Sequence, residues 1–170
     1  MRAAFLCLAG AMVLSAAPAQ AELTKSFQLS ATIANGCSVA TTGTGTWGDI
    51  NLGSVSGVVA GTASANLISG GQAGMQLSCT PGLSVQVSAD NGNQPIGGVR
   101  QLVHSASSAS KVPYQLYANG SATPWTTQTI TLSFPTGTSQ QSLPVKATAT
   151  LAAPMRAGNY SDTVHVTLSW

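Results

Sequence analysis

Apolar and polar residues alternate along much of this chain with the period of two that marks a half-buried β-strand. The stretch from Tyr160 to Trp170 shows it most fully. Tyr160, Val164, Val166, Leu168 and Trp170 fall on one side, and Ser161, Thr163, His165, Thr167 and Ser169 on the other. A second such stretch sets Leu23, Phe27, Leu29, Ala31 and Ile33 against Thr24, Ser26, Gln28, Ser30 and Thr32. Shorter runs lie between them. Gly74 to Thr80 carries Met75, Leu77 and Cys79 before Pro81-Gly82, and Leu83 to Ala89 runs into Asp90-Asn91-Gly92, a strong turn signal. Pro113 to Tyr117 ends at Ala118-Asn119-Gly120, Thr129 to Phe134 stops at Pro135, and Leu143 to Leu151 breaks before Pro154. Together these predict about seven or eight strands at the spacing of a sandwich. No window has the i, i+3, i+4 recurrence of a sizeable helix, so the expected class is all-β. Residues 38–73 are harder to read: Trp47, Ile50, Leu52, Val55, Val58-Val59, Leu67 and Ile68 are the apolar anchors, enough for one or two short strands.

The first 21 residues carry no such pattern. Arg2, the apolar run Ala3 to Ala17 and the small-x-small site Ala19-Gln20-Ala21 predict a signal peptide cleaved before Glu22. The remainder is enough for one domain with one core. Cys7 leaves with the leader, and Cys37 and Cys79 then pair most simply with each other in an oxidising compartment. A metal site would need further Cys or His at short spacing, which His104 and His165 do not supply.

Charge is sparse. The basic residues of the expected mature chain are Lys25, Arg100, Lys111, Lys146 and Arg156, and the acidic ones Glu22, Asp49, Asp90 and Asp162. Without a basic patch, nucleic acid is excluded as an expected partner. No glycine-rich loop leads from a strand into a helix, so no nucleotide or other small-molecule cofactor is expected. Catalysis has little support either. Asp162 and His165 lie three apart on one strand, hence on opposite faces, and His104 has no carboxylate near it in sequence. Tyr160 and Asp162 read as structural: a corner anchored through a hydroxyl, and a carboxylate bonded to a nearby backbone turn. Trp47, Trp125 and Trp170 read as one core tryptophan and two partly exposed ones rather than a sugar-stacking set. An apolar strand free at the front, and a last strand with nothing after it to cover its edge, suggest a subunit that completes its neighbour.

Several segments are similar to a known family. Asn35-Gly36-Cys37-Ser38-Val39, Ile50-Asn51-Leu52-Gly53-Ser54-Val55-Ser56-Gly57, Leu77-Ser78-Cys79-Thr80-Pro81-Gly82, Arg100-Gln101-Leu102 and Tyr114-Gln115-Leu116-Tyr117 occur in the order found in spore-coat-protein-U-like domains. The ending from Ala157-Gly158-Asn159-Tyr160 to Trp170 resembles that family's terminal signature and is the most specific match. These domains are pilin subunits of archaic chaperone–usher pili. The resemblance implies an incomplete immunoglobulin-like β-sandwich over residues 34–170, lacking its C-terminal strand, preceded by an N-terminal donor-strand extension over 22–33.

The resemblance also implies partners. A periplasmic chaperone would lend a strand to the open groove until, at an outer-membrane usher, the extension of the next pilin subunit replaces it. Leu23, Phe27, Leu29, Ala31 and Ile33 are the donor candidates, and Tyr160, Val164, Val166, Leu168 and Trp170 the terminal strand bordering the acceptor groove. Burying three large apolar side chains and an alanine contributes on the order of 5–9 kcal/mol before ladder bonds are counted. The expected product is a homo- or hetero-polymeric surface fibre, exported through the periplasm, that serves adhesion and biofilm formation. The competing reading is a self-contained secreted β-sandwich, either a coat-layer protein or a carbohydrate-binding module.

Overall fold

The computed structural model describes residues 25–41 and 46–170, so the signal-peptide reading, Cys7 and Leu23 lie outside the described residues. The chain divides into two units, Met1–Ile33 and Ala34–Trp170. In the first, residues 25–33 form no strand, and Phe27, Leu29 and Ile33 are 89%, 92% and 88% exposed. The alternation there predicts a strand, but these residues enter no ladder among the described residues, and a segment without one is not held as a strand.

The second unit contains no helix among the described residues. Its strands are β1 Cys37–Val39, β2 Gly61–Asn66, β3 Ile68–Ser69, β4 Gln72–Ala73, β5 Met75–Cys79, β6 Ser84–Ala89 and β7 Arg100–His104. They continue with β8 Ser107–Ala118, β9 Ile130–Ser133, β10 Gln140–Leu143, β11 Val145–Leu151, β12 Tyr160–Ser161 and β13 Val166–Ser169. One layer is the five-stranded sheet β12-β7-β8-β11-β2, and the other holds two three-stranded sheets, β1-β5-β10 and β13-β6-β9. β3 and β4 form a small hairpin beside them. Met75, Leu77, Val85, Val87, Phe134 and Leu143 from one layer meet Val112, Tyr114, Leu116, Val145, Ala147 and Ala149 from the other in one core. This is an all-β, immunoglobulin-like sandwich, as the periodicity and the resemblance predict.

Two strands that the pattern draws as continuous change sheets midway. Leu143 to Leu151 is interrupted at Pro144: Leu143 pairs with Met75 in β5, whereas Val145 pairs with Ala118 in β8. Proline has no N–H to donate to a ladder, so the break falls where the chain crosses between layers. Tyr160 to Trp170 is likewise split. Tyr160 and Ser161 pair with His104 and Val103 in the five-stranded sheet, while Val166 to Ser169 pair with Ala89 to Gln86 in β6. Half-buried and exposed residues nevertheless alternate without a break from Tyr160 to Ser169. The side chains alternate through a crossing that the ladder does not span. At the end of β8, Asn119 and Gly120 both take positive φ, and Ser121 donates its N–H to Ala118 O at 3.0 Å, which is the tight turn their sequence predicts.

Cys37 and Cys79 are bonded and directly opposite in the β1–β5 register, their Cα atoms 4.1 Å apart. The bond closes a sequence separation of 42 residues, for which the chain-entropy model gives about 4 kcal/mol of stabilisation. Cys37→Ser should therefore lower unfolding stability by about 3–4 kcal/mol. Urea unfolding of the variant beside dithiothreitol-treated wild type measures it, and the two should coincide.

Candidate functional site

The core is incompletely roofed. On the inner face of the five-stranded sheet a groove of about 490 Å³ opens between the segment that begins at Thr46 and the crossing segment Asp162–Val166. Trp47, Ile50 and Leu52, all half-buried, form one wall; Val164 and Val166 form the other. Leu102, Tyr114, Leu116, Trp125, Val145 and Ala147 floor it. The groove adjoins a second hollow of about 610 Å³, which shares Ile50, Leu52, Leu102 and Asp162 and extends past Ala149 and Leu151 to Met155 and Tyr160. The groove is mainly apolar, whereas the adjoining hollow mixes apolar residues with Asn51, Ser54, Ser56, Arg156 and Asn159.

The wall at 162–166 is fixed by hydrogen bonds. Asp162 Oδ1 accepts from the amides of Asn93 and Thr163, both at 2.9 Å, and Oδ2 accepts from the Tyr114 hydroxyl at 2.8 Å. Gly92 sits so close that any Cβ there would strike the Asp162 carboxylate, and its φ of +74° also suits glycine. Asp90 holds the other end of the crossing. Its Oδ1 accepts from the amides of Gly92 (2.9 Å) and His165 (3.0 Å), and its Oδ2 lies 2.8 Å from His165 Nδ1.

Beneath this, Arg100 is 3% exposed. It donates to Asp90 O through Nε at 2.9 Å and through Nη2, to Trp125 O at 2.5 Å and to Thr126 O at 2.7 Å. Burial lowers its pKa, opposed by the nearby Tyr114, Asp90 and Asp162, yet the guanidinium remains charged at neutral pH. Burial, and then the bond to Asp162, raises the Tyr114 pKa far above the usual phenol range, so its hydroxyl keeps the proton it donates to Asp162.

Burial pushes the Asp90 pKa up, but the Gly92 amide and the side chain and amide of His165 outweigh it and hold the carboxyl below its ordinary value. A depressed folded-state pKa means stability that is fully present above the unfolded value and lost as the pH falls through the folded one. Urea midpoints should therefore drop as the pH is lowered beneath 3.8, the ordinary value for this carboxyl. Asp90→Asn should flatten that limb of the pH profile.

The sequence-predicted residues fall in different places. Val164 and Val166 line the groove and Tyr160 its extension. Leu168 is half-buried against the core, whereas Trp170 is 57% exposed and does not line the groove. Trp125 is buried, with its indole N–H donated to Gln128 O at 2.8 Å, and Trp47 is half-buried in the wall. The Tyr160 hydroxyl donates to Arg156 O at 2.8 Å, a corner. His104 stands edge-on to that ring at 5.0 Å and bonds the Ala157 carbonyl and the Ala106 amide, both at 3.0 Å. Periodicity did not single out the opposite wall of Trp47, Ile50 and Leu52, or the Asp90–Arg100 support. An arginine and a glutamine opening a strand, Arg100-Gln101-Leu102-Val103, are the available signal.

The arrangement suits one kind of ligand. β13 pairs with β6 along one edge and has no strand on its other edge among the described residues. In general, an open strand edge beside apolar pockets can take up an extended segment, with ladder bonds giving affinity and alternate side chains filling the pockets.

No curated protein matches the sequence. Among solved structures, the chain is similar to the CsuC–CsuE chaperone–tip adhesion subunit pre-assembly complex from archaic chaperone–usher Csu pili of Acinetobacter baumannii. The TM-score is 0.55 and the identity 22%, over 82% of this chain and 40% of that one. A chaperone–tip adhesin complex described as vital for synergistic activation of CFA/I fimbriae biogenesis matches at TM-score 0.48 and 16% identity, over 78% of this chain and 41% of that one. The chain thus spans well under half the length of each. The first likeness shows the fold. The Spore Coat Protein U domain family matches residues 23–167, nearly the whole length, and the chain belongs to that family.

Proposed function

We propose that this protein is a structural subunit of an archaic chaperone–usher pilus and that it polymerises by strand exchange. The observation that carries the reading is the apolar groove that meets β13 at Val166, a strand with no partner on its other edge among the described residues. A groove of that form calls for a strand, and Phe27, Leu29, Ala31 and Ile33 of another copy supply one with apolar side chains at alternate positions, Leu23 reaching further. Donor and acceptor surfaces differ, so the contact repeats as an open filament rather than a closed ring.

Until the groove is filled its edge is an aggregation hazard, which gives a periplasmic chaperone its role as temporary donor and an outer-membrane usher its role as the site of exchange. The reading includes export by residues 1–21, a structural rather than catalytic task, and surface fibres that serve adhesion and biofilm formation. The likeness to the Csu chaperone–subunit complex supports it through the fold.

The test co-expresses the mature chain with its chaperone and usher and compares gels run with and without boiling. Wild type should give a multimer ladder without boiling, and Phe27→Arg with Leu29→Arg should give monomer only. A ladder in both, or monomer in both, sinks the proposal.

A further inference from the structure

The outer face of the five-stranded sheet has no part in the groove. Side chains there alternate with the core residues of the same strands: Gln115 and Tyr117 on β8, Lys146 and Thr148 on β11, Asn66 on β2. The register sets Lys146 between Tyr117 and Asn66, and Thr148 between Gln115 and Ser64. Asn66, Tyr117, Lys146 and Thr148 also line a groove of about 530 Å³, together with the turn at Gly120–Ser121.

Three features give this face a ligand chemistry. Lys111 and Lys146 lie on it, and neither β2, β8 and β11 nor the groove carries a carboxylate, Asp49 sharing a separate hollow with Asn66, so the stretch around Lys146 and Tyr117 is complementary to an anion. Around the lysines stand hydroxyl and amide groups that both donate and accept, with Ser64 and Thr148 hydroxyls 2.8 Å apart. Tyr117 offers a half-exposed ring whose hydroxyl is tied to Gln115 Oε1 at 2.8 Å. Lys111 lies six residues along β8 from Tyr117, roughly 20 Å at strand rise, so the face spans a chain rather than a single sugar.

We propose that this face binds an acidic polysaccharide, a uronic-acid chain, with carboxylate on Lys146, ring face on Tyr117 and hydroxyls on Asn66, Thr148 and Gln115. A nucleic acid is disfavoured because two lysines make too weak a patch for a polyphosphate. The proposal does not depend on how the subunits are joined.

The protein, purified in its assembled form, is passed over polygalacturonate, neutral dextran, double-stranded DNA and the protein itself at low and high salt. Polygalacturonate should retain it, less so at high salt. Lys146→Glu, which loses a charge-assisted hydrogen bond, should weaken retention about tenfold. Tyr117→Ser should weaken it too, with circular dichroism unchanged in both variants. Equal retention by dextran or DNA overturns the proposal. So does retention indifferent to Lys146→Glu, absence of retention, or binding only to other copies of the protein.

Discussion

Val164→Arg should abolish both chaperone capture and the multimer ladder, whereas Phe27→Arg with Leu29→Arg should abolish the ladder alone. The asymmetry follows from where each charge must go. Val164 lines the groove, where an arginine reaches water while the groove is open but is sealed beneath any strand that enters. An uncompensated buried charge costs several kcal/mol, about as much as the apolar side chains of the donor contribute. Neither a chaperone strand nor a neighbour's extension could then dock. The donor variant keeps its own groove, so it should still be recovered with chaperone. It should also accept a wild-type strand without passing one on, and mixing it with wild type should shorten fibres in proportion to its share. Co-purification with tagged chaperone and fibre length by electron microscopy read the two effects separately. Chaperone binding by Val164→Arg at the wild-type level would remove the groove from the assembly route.

Arg100→Met should be among the most destabilising single substitutions in the domain, lowering unfolding stability by about 3–5 kcal/mol. Methionine fills similar apolar volume but leaves the Asp90, Trp125 and Thr126 carbonyls without their donor. Each buried acceptor so stranded costs about 1–3 kcal/mol. The loss should appear as a lower urea midpoint with an unchanged slope, since the surface exposed on unfolding is the same. Arg100→Lys should fall between, because a compact ammonium cannot serve three carbonyls on two sides at once. A midpoint shift as small as that of an ordinary surface change would mean that water replaces the guanidinium at those carbonyls.

The sandwich was legible because its core residues sit on period-two runs bounded by Pro, Asn-Gly and Asp-Asn-Gly, and β5, β6, β9 and the second half of β8 lie where those runs place them. What the pattern could not convey is a change of sheet. Alternation survives the crossings at Pro144 and at Asp162–His165, so each reads as one strand and is two. The groove was half legible for a related reason. Val164 and Val166 belong to a periodic run, but Trp47, Ile50 and Leu52 lie in a segment held by contacts distant in sequence, such as the Asp49–Ile68 bridge. Arg100 and Asp90 bond to carbonyls and amides ten or more residues away, and no local spacing encodes that.

The disulfide has a mechanical side. In a fibre held by strand exchange, a pull on the N-terminal extension enters the domain at Ala34 and reaches Cys37 three residues later. From there the covalent path runs straight across to Cys79 and bypasses everything between them. The bypassed stretch, with a sequence separation of 42 residues, would otherwise release roughly 140 Å of slack as it peeled away. Oxidised fibres should therefore yield only by slipping a strand from its groove, and reduced ones should also lengthen by paying out chain.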